Sequence, residues 1–154
     1  AGGIVPNSVP EEAWAAVDVR FPNAEGLSFF KSHLDALMER CRAAGMALAV
    51  EVVSRTPFME ATEGNKALCA VIAGEAAKMG IQVDAEFRAG VSDANTIAEA
   101  GTPVIDGLGP LGAHDHSDRE YVIRNSLCQR SALLALSLIA AWRRYEAGTL
   151  FRNG

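Results

Sequence analysis

Short apolar runs of strand character alternate along this chain with longer runs of helical period, and that alternation restricts the fold more than any other feature. Glu12 to Phe21 sets Trp14, Val17 and Val19 among polar neighbours, and Pro22-Asn23 stops the run, which predicts a strand. From Ala24 to Ala44 the apolar positions Leu27, Phe30, Leu34, Leu37, Met38 and Cys41 recur every three or four residues. Asn23 suits the amino-terminal cap and Gly45 the stop, so this stretch predicts an amphipathic helix. Met46 to Val53, with Val50, Val52 and Val53, supplies a second strand. The resulting strand, helix, strand unit should cross over right-handed. Thr62 with Asn65 and Lys66 opens another helix that carries Leu68, Val71, Ile72 and Ala76 to Gly80, and Ile81 to Phe87 follows as a strand. Ser92-Asp93 offers capping oxygens for a short helix through Ala98, Gly101 ends it, and Pro103-Val104-Ile105 reads as a short buried strand. Residues 106–118 carry closely spaced Gly and Pro and read as loop. The final helix is expected from about Val122 to Ala147.

This order implies an α/β protein with a largely parallel sheet from Thr62 onward, preceded by a separate unit. Pro57 and its polar neighbours interrupt both periodicities between Arg55 and Thr62, which divides the chain into residues 1–57 and 58–150. With 154 residues, 49% of them apolar, there is enough material to bury a core. The net charge is -5 and the basic residues are scattered, which argues against a nucleic-acid groove or an anionic membrane surface. Ala132 to Trp142 is the nearest thing to an apolar run and falls short of the ~18 residues of a membrane span. Cys41, Cys69 and Cys128 lie far apart inside helical patterns and read as small buried hydrophobes. They favour a reducing compartment, the cytoplasm, with the periplasm left open. The chain begins Ala1-Gly2-Gly3, without Met or an apolar leader, so a natural amino terminus is expected elsewhere.

The densest polar cluster, His114-Asp115-His116-Ser117-Asp118-Arg119-Glu120, follows a buried strand and a Gly-rich loop. In open α/β sheets ligands gather outside the carboxyl ends of strands, where such a loop lies. Imidazoles oriented by carboxylates are good zinc ligands. The same residues also read as a solvated loop, with Asp118 capping the last helix and Glu120 favouring its dipole. One loop cannot complete a metal site.

The run from Pro103 to Val122 resembles the closing motif of the glutamate carboxypeptidase, acetylornithine deacetylase and succinyl-diaminopimelate desuccinylase family of dinuclear zinc exopeptidases. In that motif a zinc-binding His precedes Ser or Thr, with Glu four residues after the His. His116, Ser117 and Glu120 match that spacing; His114 does not and ranks as second choice for the metal. Gly90-Val91-Ser92-Asp93-Ala94 resembles the family's Gly-Gly-Thr-Asp-Ala segment, with Val91 as the departure, and this makes Gly90 and Ser92 candidates for the substrate pocket. Gly3, Asn7, Val9 and Pro10, followed by Asp18-Val19-Arg20, resemble the lid signature, whose Asn and Arg reach the substrate's carboxylate or scissile carbonyl. A guanidinium fork suits a carboxylate and a carboxamide can donate to an oxyanion. By themselves Asn7 reads as a turn residue and Arg20 as an exposed strand residue. Arg55, at the end of the second strand, is a looser candidate for carboxylate binding.

The resemblance implies the second half of a zinc-exopeptidase catalytic domain, preceded by part of a ferredoxin-like α+β lid and dimerisation domain. It implies two zinc ions in the intact enzyme and hydrolysis of an amide by a metal-activated water, releasing an amino acid such as glutamate from a small peptide or N-acyl amino acid. In the family the general base and most zinc ligands lie on earlier His-x-Asp and Glu-Glu motifs. Glu11-Glu12 belongs to the lid strand, so no catalytic base is assigned within these residues. An N-acyl-amino-acid deacetylase of the same family and a non-catalytic dimerisation or binding module are the alternatives. A homodimer through the lid would place the 24–44 helix and the 46–53 strand near the contact. Without sheet neighbours the chain should expose strand edges and an apolar face.

Overall fold

The computed structural model describes Gly3, Asn7 and residues 9–151. Among the described residues the regular structure is four helices and one small hairpin: α1 (Ala24–Ala43), α2 (Glu63–Lys78), α3 (Asp93–Glu99), β1 (Gly112–Ala113), β2 (Tyr121–Val122) and α4 (Arg124–Glu146). The first three helices begin where side-chain oxygens replace the missing backbone acceptors. Asn23 Oδ1 accepts from Gly26 N at 2.9 Å, Thr62 Oγ1 from Asn65 N at 3.2 Å, and Ser92 and Asn95 form a reciprocal capping box. The helices all end alike. Gly45, Gly80, Gly101 and Gly148 take φ between +63° and +80°, which lets the next amide turn back onto a carbonyl of the last turn, as Met46 N does to Cys41 O and Ile81 N to Ala76 O, both at 2.9 Å.

The start of α4 departs from expectation. Its cap is Ile123, which supplies no side-chain acceptor, so Asp118 is not the capping residue. Ser126 serves the terminus from inside the first turn, donating to Ile123 O at 2.6 Å and accepting from Leu111 N at 2.9 Å. Tyr121 and Val122 belong to a strand and not to the helix. They pair antiparallel with Ala113 and Gly112, so the expected 106–118 loop carries a two-residue strand in its middle. A Cβ on Gly112 would collide with the Tyr121 carbonyl, and this close approach of two backbones requires glycine there.

The core sits between α2 and α4. Ile72, Ala76 and Leu133 are buried together, with Met79, Ile81, Val83, Ile105 and Leu108 packed against them. α2 comes close to the 103–105 segment at Gly64, where an added Cβ would meet the Pro103 ring. Asn65, buried beneath, ties the same segment by accepting from Val104 N at 3.1 Å while its amide donates to Glu60 O at 2.9 Å.

The segments expected as strands at 12–21, 46–53, 81–87 and 103–105 form no ladder with one another among the described residues. Ile81, Val83 and Ile105 nonetheless lie against α2 and α4, as the inner face of a strand layer would. A parallel strand is held by neighbours on both sides and by helices on both faces. Here Val17, Val52, Val53 and Phe87 remain exposed, at 75%, 75%, 89% and 67%. α1 is amphipathic as expected but buries no residue completely, its stripe being half covered by contacts such as the Phe21–Phe30 ring pair at 5.5 Å. No helix among the described residues is long and apolar enough to cross a membrane.

Candidate functional site

Arg20 is exposed and its guanidinium is engaged on two sides. Nε and Nη2 donate to Asp18 Oδ2 at 3.1 and 3.0 Å, and Nη1 reaches 69 residues along the chain to donate to Ala89 O at 3.0 Å. This brings the first segment's Asp-x-Arg run onto the carbonyl just before Gly90. The ion pair is solvated, and its worth lies in direction more than in stabilisation, since exposed pairs contribute about 0–1 kcal/mol.

Ser92 carries two duties. Its hydroxyl accepts from Ala94 N at 3.2 Å as the cap of α3, and it donates to Asp106 Oδ2 at 2.6 Å. Asp106 follows the 103–105 segment and takes Gly107 N on its other oxygen at 2.7 Å. The Ser92 hydroxyl first, and the Gly107 amide second, hold the Asp106 carboxyl below its ordinary value, against a small opposing effect of burial. Behind this turn Arg130 of α4 donates to Gly107 O at 2.8 Å and to Gly109 O at 3.0 Å. An open groove of about 360 Å³ runs alongside, lined by Asp106, Leu108, Leu127, Arg130 and Leu134 among others. Gly90 faces open space, so no steric constraint demands glycine at that position.

Arg55 pairs with Glu99 of α3 at 3.5 Å, which directs its guanidinium to the far end of the helix that Ser92 caps. Two residues on, Pro57 O accepts from the buried Asn95 at 2.9 Å. Asn7 is an exposed turn residue. Gly3, in the same signature, has φ +73° and comes close to the Pro10 ring.

His114 and His116 lie in the turn that joins β1 to β2, and both have positive φ, +65° and +64°. The turn is wound around its own polar groups. Ser117 Oγ donates to His114 O at 2.7 Å, and His116 N donates to Glu120 Oε2 at 3.1 Å. The His114 ring lies 6.0 Å from that of Tyr121. The His116, Ser117 and Glu120 spacing therefore closes a local ring, with Glu120 serving the backbone of His116. Among the described residues no group of three His, Cys, Asp or Glu side chains converges to hold a metal ion. A catalytic zinc takes three protein ligands, so these residues alone do not fit a zinc centre.

The structure thus brings together Arg20, the 89–92 loop and Asp106 in one connected set, leaves Arg55 at the opposite end of α3, and keeps the two histidines on a separate turn of the 106–118 loop. Asp106 and Arg130 escaped the sequence reading. An Asp before Gly reads as a turn residue and an Arg within a helix as a solvated charge, so neither carries a local signal. No protein-family model matches this chain, and no solved structure matches it.

Proposed function

We propose that this chain is part of a zinc-dependent hydrolase that cleaves an amide bond and releases an amino acid, in the manner of a glutamate carboxypeptidase. The observation that carries the reading is the Arg20 to Ala89 hydrogen bond. It joins the Asp-x-Arg run to the residue immediately before the Gly-Val-Ser-Asp-Ala run, two stretches that the resemblance assigns to a single substrate pocket. In this reading residues 1–57 belong to a lid and dimerisation domain and residues 58–150 to one half of an α/β catalytic domain.

The residues have distinct roles in the proposal. Arg20 and Asn7 serve the substrate's carboxylate or carbonyl, Gly90 and Ser92 line the pocket, and Arg55 is a further carboxylate anchor. His116 is the metal ligand of the chain, with His114 the second choice. Two zinc ions are proposed for the intact protein, and they would need ligands and a general base from beyond these residues. A homodimer through residues 24–53 and a small peptide or N-acyl amino acid as substrate complete the reading.

The test uses the complete gene product. Purified with zinc, it should release glutamate or a related amino acid from N-acyl or dipeptide substrates. His116→Ala should lower both zinc content and turnover, the latter by more than about 100-fold, because loss of a ligand exceeds the ~10–100-fold effect of losing a ligand's hydrogen-bond partner. Unchanged zinc and turnover in that variant would sink the reading.

A further inference from the structure

We propose that Asp106 is a positioning residue, a latch that holds the 89–92 loop against the loop leading to His114 and His116. Its effect on hydrolysis rests on the exopeptidase reading; the latch itself stands on geometry.

Both carboxylate oxygens of Asp106 are in use, one on Ser92 Oγ at 2.6 Å and one on Gly107 N at 2.7 Å. The side chain therefore spans two loops whose residues are 14 apart in sequence. Each end of the span is anchored further. On one side Arg130 pins Gly107 O and Gly109 O to α4. On the other, Ser92 is fixed to the first turn of α3 through Ala94 N and through its own amide on Asn95 Oδ1 at 2.9 Å. Three residues before Ser92, Arg20 holds Ala89 O. The contacts form one path from the first segment, through the 89–92 loop and Asp106, to α4. Removing the carboxylate cuts that path between the 89–92 loop and the 106–109 turn, and the loss is felt because a charged group's hydrogen bond is stronger than a neutral one.

The expected outcome is read in the complete gene product carrying Asp106→Ala, Asp106→Asn, Ser92→Ala or the double alanine change. Asp106→Ala should speed amide hydrogen exchange over residues 89–94 by about tenfold while exchange in α2 stays as in the parent. Asp106→Asn retains an oxygen for Gly107 N and an amide for Ser92 Oγ, so it should restore most of the protection. Ser92→Ala should raise exchange at least as much as Asp106→Ala, since it also removes the cap of α3, and the double variant should be no worse than Ser92→Ala, because Asp106 reaches the 89–92 loop through Ser92. In hydrolysis, Asp106→Ala should raise KM by about tenfold with kcat within about threefold of the parent, and Asp106→Asn should recover KM. Ser92 is exposed, so its variant reports on the latch even if Asp106→Ala does not fold. Unchanged exchange over 89–94 in the alanine variants overturns the proposal, and so does an asparagine variant as impaired as the alanine one. Faster exchange in a protein that hydrolyses no N-acyl or peptide substrate upholds the latch and overturns the exopeptidase reading instead.

Discussion

His114 and His116 hold left-handed backbone that most L-residues avoid, at a cost of order 1 kcal/mol each, and the hydrogen bonds of Ser117 and Glu120 within the same turn offset it. The recognisable spacing of His116, Ser117 and Glu120 is thus also a local structural unit. Asp106 differs in depending on a distant partner. Its carboxyl is held low in the folded state, so it adds stability in full above the unfolded-state value of about 3.9, and that contribution is lost as pH falls through the lower folded value. Following the Asp106 carboxyl carbon by NMR should give a midpoint below that of a free Asp. In Ser92→Ala the midpoint should move up, because the larger of its two causes is gone. A midpoint indifferent to that substitution would mean that Ser92 is not the donor. At this scale the caps Asn23, Thr62 and Ser92 were legible, since a cap and its amide lie within three residues. Asp106 was not, since its partner lies outside any local window.

At the scale of elements, the pairing of α2 with α4 carries the core, and it distinguishes the faces of α4. Leu133 is 1% exposed against Ile72 and Ala76, whereas Leu138, 62% exposed, lies on another face of the same helix. Leu133→Ala should cost about 2–5 kcal/mol, the loss of burial plus a cavity. Leu138→Ala should shift stability by less than about 1 kcal/mol, as exposed substitutions do. Chemical denaturation of the two variants gives the comparison, and equal effects would contradict the burial of Leu133 against α2. The helices were legible to within a residue or two because a period of 3.6 runs over many positions and a glycine marks each end. The β1–β2 hairpin was not, because two-residue strands show no alternation.

For the whole molecule, apolar side chains at 46–53 and on α4 meet solvent to a degree that single soluble domains avoid. Val53 is 89% exposed and Trp142 61%. Residues 1–154 produced alone should therefore bind a hydrophobic dye strongly and self-associate with rising concentration in sedimentation, and a monodisperse preparation with a sharp, cooperative melt would contradict this. Local chemistry by itself determined where α1, α2 and α3 start, where all four helices stop and which segments are apolar on one face, because caps, glycines and periods act over a few residues. Only the tertiary structure decided that Arg20 reaches Ala89, that Ser92 meets Asp106, and that Glu99 draws Arg55 away from them. The physical reason is that such contacts depend on how separate segments are held relative to one another, and no spacing along the chain encodes that distance.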